Sequence, residues 1–275
     1  MKNFIERYGP WALVTGASAG IGEAFARRLA ERGMNLVLVA RREDKLRELA
    51  NELHNRHGIT ARVVAADLSR VDFLPLISRA TDDVQVGLLV NNAGVATIGN
   101  FLDNDLEAEL TLLHINDRAP LMLAHHFGRS MRQLGRGGMI FVASTVAFSA
   151  VPTWSNYAAS KAYDLALAEG VAKELSKDGI SVLALCPGPT RTELWPPGAR
   201  LSLAMEPGAV VDIALKKLGR RTTVVTGWLN VITTFATRLQ PRSWNAAIFG
   251  RVVRGMLQGA HAAAPPPTEQ PAARS

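Results

Sequence analysis

Short apolar runs alternate with stretches of helical period along most of this chain, and this alternation constrains the fold more than any other feature. WALVTGAS leads into GIGEAFARRLAERG, where Ala24, Phe25, Leu29 and Ala30 share one stripe, and NLVLVARR leads into the charged stretch EDKLRELANELHNRHG. ARVVAADL and VGLLVNNAG follow, then a long helical region from about Asp105 to Leu134, then GGMIFVAST, a helix from about Asn156 to Lys177, and ISVLALCPGP. Strands that read as nearly continuous apolar runs, separated by helices, belong to a parallel sheet covered on both faces. The expected fold class is therefore α/β, a doubly wound parallel sheet with helices on both faces. Such sheets bind ligands outside the carboxyl ends of their strands. The polar clusters TGASAGIG, ARR, DL, NNAG, ST and PGP each directly follow an apolar run, so all of them are expected at that one edge.

With 275 residues, 48% hydrophobic and 20% charged, the chain can bury one full core, and a single domain is expected over residues 1–260. TRTELWPPGARLSLAMEPGAVV mixes Pro and Gly with apolar anchors and reads as a lid at about 190–210. A short helix from Val210 to Leu218, a last strand in TTVVTG and a helical stretch around Trp228 to Leu239 come next. Trp244 to Leu257 has helical apolar spacing with Arg251 and Arg254 on its other side; packing on its own domain is expected, with docking to another subunit or to a membrane surface as the alternatives. The Pro- and Ala-rich end, 261–275, reads as a disordered tail.

The net charge of +7 does not by itself make a nucleic-acid surface, because the arginines are scattered and no basic run is interleaved with aromatics. No nucleic-acid partner is expected. MKNFIERYGPW lacks an apolar segment of signal-peptide length, and no run approaches about 18 apolar residues, so a cytoplasmic location without an integral membrane segment is expected, peripheral contact staying open. The lone cysteine, Cys186, sits in the apolar run VLALC and reads as a packing residue. His125 and His126 are adjacent on a helix and point apart, and no Cys or carboxylate joins them or His114 at ligand spacing, so no metal is expected.

In TGASAGIG the glycines Gly16, Gly20 and Gly22, with Ser18 and Ile21 between them, form a tight turn between a buried strand and an amphipathic helix. Glycine lets the backbone approach a pyrophosphate and lets the helix pack close, so that its N-terminal N–H groups face the anion. The tip of the second strand then selects the nucleotide, since the adenosine ribose lies there. It carries Arg41 and Arg42 and no carboxylate, so NADP(H) is expected over NAD(H).

SNYAASK places Tyr157 and Lys161 one helical turn apart. Hydride exchange between a nicotinamide and a carbonyl needs a proton delivered to the developing alkoxide, and a phenol with a pKa near about 10 does this poorly at neutral pH. A lysine one turn away can lower that pKa and reach the nicotinamide ribose.

Taken together, TGASAGIG, the DL at Asp67, NNAG at Asn91 to Gly94, an isolated Asn116, Ser144, YAASK and PGPTRT resemble the short-chain dehydrogenase/reductase family, from about Trp11 to Thr192. The resemblance implies a Rossmann-type fold and a catalytic set of Asn116, Ser144, Tyr157 and Lys161. In it Ser144 holds the substrate carbonyl near the phenol, and Asn116 bends its helix and holds a water linking Lys161 to solvent. It also implies that Asp67 and Leu68 contact adenine, that Asn92, Ala93 and Gly94 turn beside the adenosine ribose, and that Pro187, Gly188, Thr190 and Thr192 hold the nicotinamide carboxamide. Arg41 falls at the family's NADP-preferring position. Ala19 stands where some NADP-dependent members carry a basic side chain, and the region from Leu194 onward shares no family motif.

The activity expected from these readings is NADP(H)-dependent interconversion of a carbonyl and a secondary alcohol, in the direction of reduction. Trp195, Pro196, Pro197, Leu201, Leu203 and Met205 make the lid apolar, which points to a hydrophobic ketone such as a ketoacyl chain or a steroid. A homodimer or homotetramer is what the family implies. Two alternatives stay open at this stage: a nucleotide-sensing regulatory protein without turnover, and an NADP-linked isomerase or dehydratase, which would show no net cofactor oxidation.

Overall fold

The computed structural model describes residues 2–261 apart from 200, 202 and 238, so the expected tail lies, from 262 onward, outside the described residues. Seven strands form one sheet: β1 (Trp11–Thr15), β2 (Asn35–Ala40), β3 (Ala61–Ala65), β4 (Val86–Asn91), β5 (Gly137–Val142), β6 (Ile180–Cys186) and β7 (Thr223–Val225). Their spatial order is β3-β2-β1-β4-β5-β6-β7, and every neighbouring pair is parallel. The chain winds outward from β1 to β3, then returns and winds the other way from β4. The crevice at the β1/β4 switch point is where a doubly wound sheet receives its ligand.

Every residue of β1, β4, β5 and β6 is buried, as their continuous apolar sequences require of strands covered on both faces. On one face α2 (Gly20–Ala30), α3 (Glu43–His57) and α8 (Pro207–Lys217) enclose a core that includes Phe25, Leu29, Leu46, Leu53, Val210 and Val211. On the other, α4 (Phe73–Arg79), α6 (Ala119–Leu134) and α7 (Ser155–Leu175) enclose Phe73, Ile77, Leu123, Phe127, Leu165 and Ala168. Each large side chain so buried contributes about 1.5–3 kcal/mol. Cys186 belongs to this second core, and burial pushes its thiol up to about 12, which suits a packing residue.

The helical region expected from Asp105 to Leu134 is not one regular helix. It divides into α5 (Leu106–Leu113), a π-helical turn at His114–Arg118, and α6. Pro120 has no N–H to donate to the carbonyl four residues back, at Asn116, and the Ala119 N–H instead reaches the carbonyl of His114, five back. Two seven-residue helices, α1 (Lys2–Tyr8) and α4, had no counterpart in the sequence reading, being too short to show a periodic stripe. Two more helices, α9 (Trp228–Ala236) and α10 (Arg242–His261), complete the described residues. No helix among the described residues is long and apolar enough to cross a membrane.

Candidate active site

The glycine loop is held by close backbone contacts. Gly16 has φ +65, and a Cβ there would lie 2.8 Å from Asn92 Nδ2. A Cβ on Gly22 would lie 2.2 Å from the Gly16 carbonyl oxygen, so α2 begins directly against the loop. Ala19, the residue capping α2, offers no side-chain acceptor, which leaves helix N–H groups for a ligand. Across the switch point Thr15 Oγ1 accepts from the N–H groups of Asn92 (2.9 Å) and Ala93 (3.0 Å), and Asn92 Nδ2 donates to the Thr15 carbonyl (2.8 Å). These bonds lock the tip of β1 to the tip of β4 beside Gly94.

At the tip of β2, Arg42 donates to Ser18 Oγ (3.1 Å) and to the Ser18 carbonyl (3.2 Å), and pairs with Glu193 of the lid (2.9 Å). Arg41 is exposed beside it. Asp67 lies after β3. Burial opposes its charge, but bonds from the Ser69 hydroxyl and N–H and the charges of Arg41 and Arg70 hold its carboxyl below the ordinary value. Leu68 is buried next to it. At the far side Thr145 N–H donates to the Pro187 carbonyl (2.9 Å), Thr190 Oγ1 donates to the Gly188 carbonyl (3.0 Å), and Thr192 packs on Gly20.

Tyr157 and Lys161 stand on the inner face of α7, both buried. Lys161 Nζ donates to the Val142 carbonyl and to Asp164 Oδ2, each at 2.9 Å, and lies 5.9 Å from the centre of the Tyr157 ring. Asn116, in the π-turn, is tied on both ends: its Nδ2 donates to Val95 O (2.9 Å) and Ser160 Oγ (3.0 Å), and its Oδ1 accepts from Val95 N–H (2.9 Å). Ser144 follows β5 and caps a short 3₁₀ turn, its Oγ accepting from Val146 N–H (3.3 Å). Burial pushes Tyr157 above its ordinary value; Lys161 pulls it down, Asp164 pushes it up, and Ser144 favours the phenolate, leaving it raised overall.

The profile of the short chain dehydrogenase family matches residues 10–199. The chain belongs to that family. It is 35% identical over 234 residues to a 7β-hydroxysteroid dehydrogenase of Clostridium sardiniense, covering 83% of this chain and 89% of the relative. A solved 7β-hydroxysteroid dehydrogenase structure superposes with a TM-score of 0.85 at 30% identity, over 90% of this chain and 99% of that one. A short-chain dehydrogenase from Sphingobium yanoikuyae, solved in complex with NADPH, superposes with a TM-score of 0.75 at 33% identity, over 97% of this chain and 100% of the other. This short-chain dehydrogenase is an oxidoreductase that interconverts carbonyl and alcohol with a nicotinamide cofactor.

In this short-chain dehydrogenase one cavity of about 1000 Å³ gathers the predicted residues from Gly16 to Ile21, Arg41, Arg42, Asp67, Leu68, Asn92 to Gly94, Ser144, Tyr157, Lys161, Pro187, Gly188, Thr190 and Thr192. Gly22 and Asn116 are not on its wall and support it from behind. Of the apolar lid residues expected, Trp195 and Leu203 line the cavity, with Leu194 beside them, whereas Pro196, Pro197 and Leu201 are not on its wall and Met205 pairs with Thr190 and packs on the core below. Sequence reasoning missed Trp154, whose ring meets Tyr157 edge-on at 5.3 Å and Trp195 at 5.3 Å. It also missed that α9 and α10 complete the mouth through Trp228, Leu229, Ile248, Phe249 and Val252. Phe249 and Val253 pack with Trp154 and Tyr157, so one face of α10 does lie on its own chain. Asp164 was missed as well. Its signal was present: an acid one turn past Lys161 in a helix whose inner stripe is otherwise small or apolar.

Proposed function

We infer that this chain is an NADP(H)-dependent reductase of bulky, steroid-like ketones, with Tyr157 as the proton donor. The observation that carries the reading is the single cavity that joins the glycine loop and the Arg41–Arg42 tip to Ser144, Tyr157 and Lys161 under an apolar wall of Trp154, Trp195, Leu203, Trp228 and Phe249. The residues present fit a dinucleotide: Gly16 and Gly22 leave a cradle that a Cβ would fill, α2 begins without a side-chain cap, and two guanidiniums stand where a 2′-phosphate would lie. When bound, the nicotinamide supplies or takes up the hydride. Around it Pro187, Gly188, Thr190 and Thr192 would orient the carboxamide, and Asp67, Leu68, Asn92, Ala93 and Gly94 the adenosine end.

Ser144 and Tyr157 would hold the carbonyl oxygen, and the phenol, kept protonated by its burial, would give it a proton as charge develops there. Asn116, locked by Val95 and Ser160, would keep the π-turn open towards Lys161. Preference for NADPH is supported by the absence of a carboxylate at the tip of β2 and by the likeness to a dehydrogenase solved with NADPH. The steroid-like class is supported by the relatives' own activity and by the apolar wall, which suits a rigid ring system better than a sugar. The reading extends to one catalytic domain over 1–260, to a cytoplasmic location, and to a homodimer or homotetramer, for which exposed Leu110, Leu113, Leu121 and Tyr163 on α5, α6 and α7 offer apolar surface.

The test is turnover of NADPH with a panel of steroid ketones. Tyr157→Phe should lower kcat by about 10²–10⁴-fold, the usual contribution of a positioned acid, while NADPH still quenches protein fluorescence with an affinity within a few-fold of the parent. Full turnover by Tyr157→Phe would sink the assignment of the proton donor.

A further inference from the structure

Tyr157, Lys161 and Asp164 fall on one stripe of α7, with the lysine in the middle. The Lys161–Asp164 pair is shut away from water, its side chains 5% and 4% exposed, and no other ion pair among the described residues is buried on both sides. Burial works against both charges, so neither would persist there alone. Asp164 holds the ammonium above its ordinary value despite that burial. Asp164 Oδ1 has no hydrogen-bond partner among the described residues, so the carboxylate is committed to Lys161 through Oδ2.

The other groups facing this pair do not replace it. Asp117, from the π-turn, adds a second negative charge that acts on Lys161 more weakly than Asp164 does. Arg118 turns its guanidinium to the carbonyls of Ser69 and Arg70 (2.7 Å each). Tyr163 on α7 and Cys186 on β6 are held in their neutral forms, and β5 contributes the Val142 carbonyl. Among the described residues Asp164 is thus the one carboxylate bonded to Lys161.

We propose that Asp164 is a positioning residue for the reaction: its carboxylate anchors the Lys161 ammonium and offsets its charge, so that Tyr157 stays a protonated phenol set to donate rather than to accept. The consequence is directional. With Asp164 in place, the phenolate that alcohol oxidation needs forms at higher pH than it would without that charge, which favours ketone reduction. The inference rests on the reading of Tyr157 as the proton donor.

The chain has three tyrosines, Tyr8, Tyr157 and Tyr163, which makes ionisation of Tyr157 directly measurable. Phenolate absorbance is titrated on the full chain without cofactor, with and without Tyr157→Phe, and the difference isolates Tyr157. Asp164→Asn should move that ionisation to lower pH by about one unit, the scale on which a single neighbouring charge acts, and the alkaline limb of alcohol oxidation should move with it. Asp164→Glu, which keeps the charge, should titrate like the parent. Asp164→Ser, with room for a water at the ammonium, serves if the amide variant does not fold. If Tyr157 ionises at the same pH in the neutral variants as in the parent, whatever happens to thermal stability, the residue only packs and the proposal is overturned. Retention of turnover by Tyr157→Phe would instead defeat the proton-donor reading, and would leave the absorbance titration unaffected.

Discussion

At the scale of single residues, charge placed in a dry interior decides more than proximity alone. Asp117 has one carboxylate oxygen buried without a partner among the described residues; burial first, then the charge of Asp164, push its carboxyl up to about 6, against the pull of Lys161. In the unfolded chain the same group ionises near its ordinary value of 3.8. The folded form therefore holds a proton between those pH values that the unfolded form has lost, and stability falls as pH rises through this window. Asp117→Asn should stabilise the fold at pH 8 by on the order of 2 kcal/mol, after discounting for its partial exposure, and by less at pH 5. Thermal melts at the two pH values check this, and a benefit that grows toward acid would contradict it. Tyr157 and Lys161 were legible from their spacing in the company of the motifs from TGASAGIG to PGPTRT. The balance of charges around them was not: Asp117 is 47 residues from Asp164, and nothing local says that both end at one ammonium.

At the scale of elements, apolar runs foretold the strands because a buried parallel strand must be apolar on both faces. Helices were legible where an amphipathic stripe ran for three turns or more, as in α2, and illegible where, as in α4, two turns carried only Phe73 and Ile77 inward. The glycine loop joins these two kinds of element without slack. Gly22→Ala would set a methyl 2.2 Å from the Gly16 carbonyl oxygen, a backbone atom that cannot rotate aside, and the loop would have to shift. The expected outcome is a loss of about 1–3 kcal/mol in stability and a fall of about tenfold or more in NADPH affinity, read by urea titration and by fluorescence. An alanine variant that binds NADPH like the parent would show that the close packing of α2 is not needed for the cradle.

At the scale of the molecule, the reversal of strand order between β1 and β4 brings the loops after β1, β2, β3, β4, β5 and β6 to one edge, and the cavity runs along it. A ligand filling that cavity binds only the folded chain. NADPH at about 100 times its dissociation constant should add about 2.7 kcal/mol, which raises Tm by roughly 5–10 °C for a chain of this size. NADH at the same concentration should do less, and Arg42→Ala should remove the difference, since Arg42 stands between Ser18 and Glu193 where a 2′-phosphate would compete for it. Equal shifts by the two nucleotides in the parent chain would reverse the preference proposed.

By itself the sequence determined the class of sheet, the edge at which chemistry gathers, the glycine cradle and the Tyr157–Lys161 pair, because each of these is written in neighbours within a turn or a strand. Only the tertiary structure decided that Met205 packs on the core while Trp195 faces the cavity, that α9 and α10 close the mouth, and that Asp164 takes the lysine's charge. Those outcomes depend on which surfaces meet once the chain has wound both ways from the switch point, and on how little water is left where they do.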